Sequence, residues 1–148
     1  MNVVVDASVA IKWFLPENLS DAAERLLAGN DTLFAPDFLL VECGNIVWKK
    51  VRLGQMARDD GDAALDALRS GPIELWPTTS LIGKALNLAH AIDHPVYACL
   101  YLAIAEAADA TAVTADRRFF DRARQAALPT RIAWIADWRP GLSETSTD

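Results

Sequence analysis

Residues 2–8 read NVVVDAS, and the fold turns on how this stretch is read. A strand with one wet face alternates apolar and polar residues, whereas a strand covered on both faces carries an unbroken apolar run. Val3, Val4 and Val5 form such a run, and Asp6 ends it. The stretch therefore predicts a doubly covered strand that delivers a carboxylate at its C-terminal end. Asp6 also suits the N-cap of a helix over Ala7–Leu15, because a carboxylate accepts from the unpaired N–H groups of a first turn.

Outward from this strand the pattern repeats. Helices are predicted over Ser20–Ala28, from Ala35-Pro36-Asp37 to Arg52, over Ala57–Arg69, over Ser80–Asp93, over residues 96–109 and over Arg117–Ala126. Gly29-Asn30, Gly54 and Ser70-Gly71-Pro72 supply stops. Short apolar runs at Thr32–Phe34, Ile73–Trp76, Ala112–Thr114 and Ile132–Ile135 read as the intervening strands. Strands alternating with helices make an α/β domain with a mainly parallel sheet. In such sheets ligands sit beyond the carboxyl ends of the strands, where the topology reverses. No repeat or linker divides the 148 residues, so one domain is expected over residues 1–139, with 140–148 a disordered tail.

Composition narrows the class. With 52% apolar and 23% charged residues the chain is globular rather than disordered. No apolar run approaches the roughly 20 residues needed to cross a bilayer, and MNVVVDAS lacks the basic start of a signal peptide. A cytoplasmic protein with no membrane partner is expected. Cys43 and Cys99 lie in apolar helical context without ligand spacing, which predicts buried, reduced thiols. A net charge of −6 argues weakly against a nucleic-acid surface. Distribution qualifies that: Arg117, Arg118, Arg122 and Arg124 crowd one segment, and Lys49, Lys50 and Arg52 another. Each cluster is either a solvated helix face or a phosphate contact.

Three acids stand out. Asp6 and Asp116 each follow a strand and precede a helix. Glu42 lies mid-helix in FLLVECGNIVW, with Phe38 a turn before it and Asn45 a turn after it on one face. An ionised carboxylate among apolar groups is costly unless paired or metal-bound. Carboxylates from three segments on one sheet edge suggest a hard divalent cation. His90 and His94 read as helix-end residues. The motif expected of a haloacid-dehalogenase-type phosphatase, Asp-x-Asp, is lacking, since Asp6-Ala7-Ser8 holds one acid.

VVVDAS, VECGN and VYACLYLAIAE followed by TAVTADRRF resemble, in order and spacing, a PIN domain of the VapC toxin type, over residues 2–138. The resemblance implies a doubly wound, three-layer α/β/α fold with four to five strands. It implies an endoribonuclease dependent on Mg²⁺ or Mn²⁺, one half of a toxin–antitoxin pair. Asp6, Glu42 and Asp116 match three of the family's four metal-site acids, and Ser8, Asn45 and Thr114 its supporting polar positions. Arg117, Arg118 and Arg122 are then candidates for RNA binding. A cognate VapB-type antitoxin and a homodimer are the implied protein partners. Trp13, Phe14, Phe38 and Trp48 form an apolar surface for them.

The fourth acid is missing. Helix 96–109 begins VYACLY, with neither carboxylate nor hydroxyl among Ala98 and Cys99, although first turns usually carry one. The family reads Tyr-Asp where this chain reads Tyr97-Ala98. Asp93 precedes Pro95 and belongs to another segment, so it does not substitute. With the other positions intact, an engineered Asp→Ala exchange that disables the nuclease accounts for the gap better than a naturally degenerate toxin, in which several positions would erode. A catalytically impaired nuclease is expected, and a non-catalytic module that binds an antitoxin or RNA is the alternative.

Overall fold

The computed structural model describes residues 1–126 and 132–140. Five strands form one parallel sheet: β1 (Asn2–Val5), β2 (Thr32–Pro36), β3 (Ile73–Trp76), β4 (Thr111–Thr114) and β5 (Ile132–Trp134), in the order β3-β2-β1-β4-β5. The central position of β1 follows from its sequence, because Val3, Val4 and Val5 are all fully buried. From β1 the chain builds outward through β2 to β3, then returns to lay β4 and β5 on the other side. The reversal falls between β1 and β4. Val5 pairs with Val113, so Asp6 and Thr114 leave the sheet side by side.

Seven α-helices cover the two faces among the described residues: α1 (Ala7–Ala10), α2 (Ser20–Ala28), α3 (Leu39–Arg52), α4 (Arg58–Arg69), α5 (Ile82–Ile92), α6 (Val96–Ala107) and α7 (Arg117–Gln125). Helix α6 crosses β1, β2 and β4, and every residue from Ala98 to Ala105 is buried. A helix apolar all round is a helix packed all round. Helix α5 lies along α6, α7 packs on β4 and β5, and α4 pairs with α3. Cys43 and Cys99 are free and buried, as expected. No single helix among the described residues is long and apolar enough to cross a membrane.

Several boundaries differ from the sequence expectation, most by a residue or two. Pro36 belongs to β2 rather than to a helix start, because β3 pairs alongside as far as Trp76. Pro36 has no N–H to donate, and the Asp37 N–H donates to the Trp76 carbonyl instead (2.9 Å). Helix α3 therefore starts only at Leu39. Helix α1 tightens into a 3₁₀ turn at Ile11–Trp13 and stops before Leu15. Helix α5 begins at Ile82 after another 3₁₀ turn and ends at Ile92. There Asp93 takes the left-handed conformation (φ 52°) that terminates helices. The expected tail lies, beyond Pro140, outside the described residues.

Candidate active site

The reversal point holds a closed hydrogen-bonded corner around Asp6. Its carboxylate caps α1 by accepting from Val9 N–H (3.2 Å), and it accepts from the hydroxyls of Ser8 and Thr114, each at 2.5 Å. Both hydroxyl oxygens accept in turn: Ser8 Oγ from Ala115 N–H and Thr114 Oγ1 from Asp116 N–H, each at 3.0 Å. Strand ends β1 and β4 are thus stitched by side chains where the backbone ladder stops. Asp6 is 7% exposed and Thr114 fully buried. Burial pushes the Asp6 carboxyl up to about 6; the hydrogen bonds oppose the rise and the Asp116 charge adds to it. Asp116 is exposed and caps α7 through Phe119 N–H (3.2 Å).

Helices supply the opposite wall. A cleft of about 220 Å³ is lined by Asp6, Ser8, Glu42, Ala98, Tyr101 and Asp116, with Ala7, Ile46, Tyr97 and Phe119 completing it. The three predicted acids therefore share one cavity. Half-buried Glu42 has its carboxyl pushed up to about 7 by burial, with the Tyr101 hydrogen bond opposing and Asp6 assisting. Tyr101, 2% exposed, donates its hydroxyl to Glu42 Oε1 at 3.3 Å and sets its ring edge-on to Phe38. Burial beside Glu42 and Asp6 holds the Tyr101 phenol well above its usual range.

Tyr101 is the site residue that sequence reasoning missed. Its signal was available, since it lies three positions after Ala98 on one helical face. Ala98 itself lines the cleft and is 8% exposed. Asn45, expected as support, is exposed and does not line the cavity. The helical turn that puts it on Glu42's side also carries it outward.

The donor set is all carboxylate oxygen, which suits a hard divalent cation. Yet no three acids, histidines or cysteines among the described residues converge tightly enough to hold one ion. Mg²⁺ tolerates that, since it keeps several waters and takes only one or two carboxylates. The residues present thus fit a loosely held ion, with Ala98 on the same cleft wall.

The basic segment divides. Arg122 pairs with Asp93 (3.3 Å), which leaves neither free for the cleft. Arg117 lies over the Trp134 ring, 3.9 Å from its centroid, and Arg124 over Phe120 at 5.6 Å. Arg118 has no ion-pair or hydrogen-bond partner among the described residues. His94 stacks on Phe119, and burial lowers its pKa. In the second cluster Lys50 pairs with Glu17 (3.1 Å) and Arg52 covers Trp48 (5.4 Å). Of the expected apolar surface, Trp13, Phe14 and Phe38 pack against the core; Trp48 stays 57% exposed, and Val41 and Leu53 of the α3 region are exposed too.

A parallel sheet with acids gathered at its reversal point defines a class of α/β proteins that work on ligands at the strand ends. Within that class, this chain belongs to the PIN domain family, which it matches over residues 3–125. It is 29% identical over 126 residues to Ribonuclease VapC3 of Pyrobaculum aerophilum, covering 82% of this chain and 95% of that protein. Among solved structures, PAE2754 from Pyrobaculum aerophilum superposes with a TM-score of 0.69 at 19% identity, over 92% of this chain and 85% of the other. VapBC2 from Rickettsia felis, solved bound to a DNA fragment from their promoter, gives 0.63 at 18% identity, over 94% of this chain and 100% of the other. VapBC-1 from nontypeable Haemophilus influenzae gives 0.60 at 18% identity, over 92% and 99%. At these identities the structural likeness speaks for the fold alone.

Proposed function

We propose that this chain is the ribonuclease toxin of a toxin–antitoxin pair, acting in the cytoplasm on RNA phosphodiesters, and that Ala98 leaves it catalytically impaired. The observation that carries the reading is the shared cleft: Asp6, Glu42 and Asp116 arrive from three segments, and Ala98 occupies the remaining wall. Family membership and the VapC3 relative support the activity, and the VapBC neighbours support a VapB-type antitoxin. The exposed Trp48, Val41 and Leu53 are where we place that partner, and a second copy of the chain completes a homodimer.

Asp6, Glu42 and Asp116 would hold Mg²⁺ or Mn²⁺ through carboxylate oxygens. Such an ion, when bound, acidifies water and neutralises charge on the phosphate. The chain's own residues do the rest. Ser8 and Thr114 fix the Asp6 carboxylate and hold it ionised against its burial. Tyr101 orients Glu42, and the Asp116 cap ties its carboxylate to the start of α7. Arg118 supplies a cation for the RNA backbone.

That no three acids among the described residues form a tight cluster favours a second reading, a non-catalytic module that binds antitoxin or RNA. The substitution Ala98→Asp separates the two. Calorimetric Mg²⁺ titration should show tighter binding than in the parent, and Mg²⁺-dependent cleavage should appear on a panel of structured and single-stranded RNAs. Normal metal binding without any cleavage would sink the nuclease and leave the module.

A further inference from the structure

Helix α7 departs from the electrostatics of the rest of the chain. Acids outnumber bases 20 to 14 overall, yet α7 holds four arginines and one acid, Asp121. Only Arg122 is paired with a carboxylate; Arg117, Arg118 and Arg124 are exposed and have no ion-pair partner among the described residues. In a protein with surplus acid, three guanidinium groups on one helix, none in an ion pair among the described residues, are a segregated charge.

Two of them are layered on aromatic rings. The Arg117 guanidinium lies 3.9 Å from the Trp134 centroid and 5.5 Å from that of Phe120, and Arg124 covers Phe120 at 5.6 Å. The two rings are 5.9 Å apart, tilted by 58°. Both arginine side chains are exposed, so a guanidinium held over a ring still presents N–H groups to solvent. Successive residues divide the helix between two tasks: Asp116 and Phe119 line the cleft, while Arg117 and Phe120 build the stack against β5.

We propose that the α7–β5 edge is a single-stranded RNA surface leading to the cleft past Asp116. Arg118 meets a backbone phosphate, and Arg117, held flat by Trp134, stacks an unpaired base. The identity of the nucleic acid as RNA rests on the nuclease reading above. Preference for a single strand rests on the stack, because a duplex hides the base faces that guanidinium planes and aromatic rings recognise.

The test is fluorescence anisotropy in EDTA with this chain as it stands, using a labelled oligoadenylate and a hairpin of matched length. The single strand should bind about tenfold more tightly, the scale expected of one stacked base. Arg118→Gln should lower the slope of log affinity against log salt by about 0.7, the value for one phosphate contact on a single strand. Arg117→Lys keeps the charge and loses the plane, so binding should weaken about fivefold with that slope unchanged. Both substituted side chains are exposed, so the fold is not at stake. A hairpin bound as tightly as the single strand, or Arg117→Lys indistinguishable from the parent, would overturn the proposal in favour of a plain charged track or a protein partner. Binding in EDTA with no cleavage by Ala98→Asp would sink the nuclease and leave this surface. Cleavage by Ala98→Asp that Arg117→Lys leaves undiminished would do the reverse.

Discussion

The two walls of the cleft are built differently. On the strand side, Asp6 takes three hydrogen bonds, and the hydroxyls that supply two of them bind backbone N–H groups of β4's extension. On the helix side, Glu42 has one phenol at 3.3 Å, and the neighbouring position is an alanine. Strand ends place side chains by register, so a carboxylate there is fixed by the sheet and its local cap. Helix walls place them by packing, with no local cap to hold a carboxylate in place. The strand side is accordingly held by several local hydrogen bonds, and the helix side by a single one.

The largest expected effect breaks the strand wall in the Ala98→Asp protein. Adding Asp6→Asn to Ala98→Asp should lower Mg²⁺-dependent cleavage by about 10²–10³-fold, the usual consequence of removing one group that organises transition-state charge. Single-turnover cleavage at saturating Mg²⁺ measures it. A loss of only a few-fold would mean that the strand side is structural and that chemistry resides on the helices.

Stability offers a direct contrast between the walls. Thr114→Val leaves a buried carboxylate oxygen and the Asp116 N–H without partners, at a cost of about 2–4 kcal/mol in urea unfolding. Tyr101→Phe removes one long hydrogen bond to a carboxylate that water still reaches, and should cost about 1 kcal/mol or less. Equal losses would erase the difference between the walls.

The pH dependence separates them further. Glu42 rises from its usual 4.5 to about 7 in the folded protein, so the folded state holds the proton more tightly than the unfolded one. Its stabilising contribution is therefore full below pH 4.5 and declines up to about pH 7. Solvent screening of its exposed part brings the decline to about 1–2 kcal/mol. Asp6 acts in the same sense between 3.8 and about 6. Urea midpoints measured from pH 4 to 8 should fall less steeply for Glu42→Gln than for the parent, with the remaining slope confined to the lower window. Superimposable curves would show that Glu42 is solvated in the folded state.

How far the site was legible follows the same division. Asp6 and Asp116 were readable because each lies at or just past the end of a predicted strand, and a strand end needs no tertiary information to be located. Glu42 was readable as an acid among apolar neighbours. Tyr101 was hidden because a tyrosine in a buried helix reads as core, and only the packing of α6 against α3 brings its hydroxyl to Glu42. The fate of the arginines was hidden for a related reason. Pairing of Arg122 with Asp93 and stacking of Arg117 on Trp134 join residues far apart in the chain. The start of α3 was misread because β3, nearly forty residues later, extends β2 through Pro36.

Asn45 gives the smallest expected effect and the finest discrimination. Helical spacing puts it on Glu42's side, and the family resemblance makes it a supporting polar residue. In the folded chain it is exposed and outside the cavity. An exposed polar side chain in mid-helix contributes little, so Asn45→Ala should change stability by less than about 0.5 kcal/mol. Mg²⁺ affinity in the Ala98→Asp protein should be unchanged by it, as calorimetric titration of the double variant would show. A clear loss of affinity would mean that α3 turns toward the cleft when metal and the restored carboxylate are present. The helix wall would then answer to metal through its orientation as well as through the side chain at position 98.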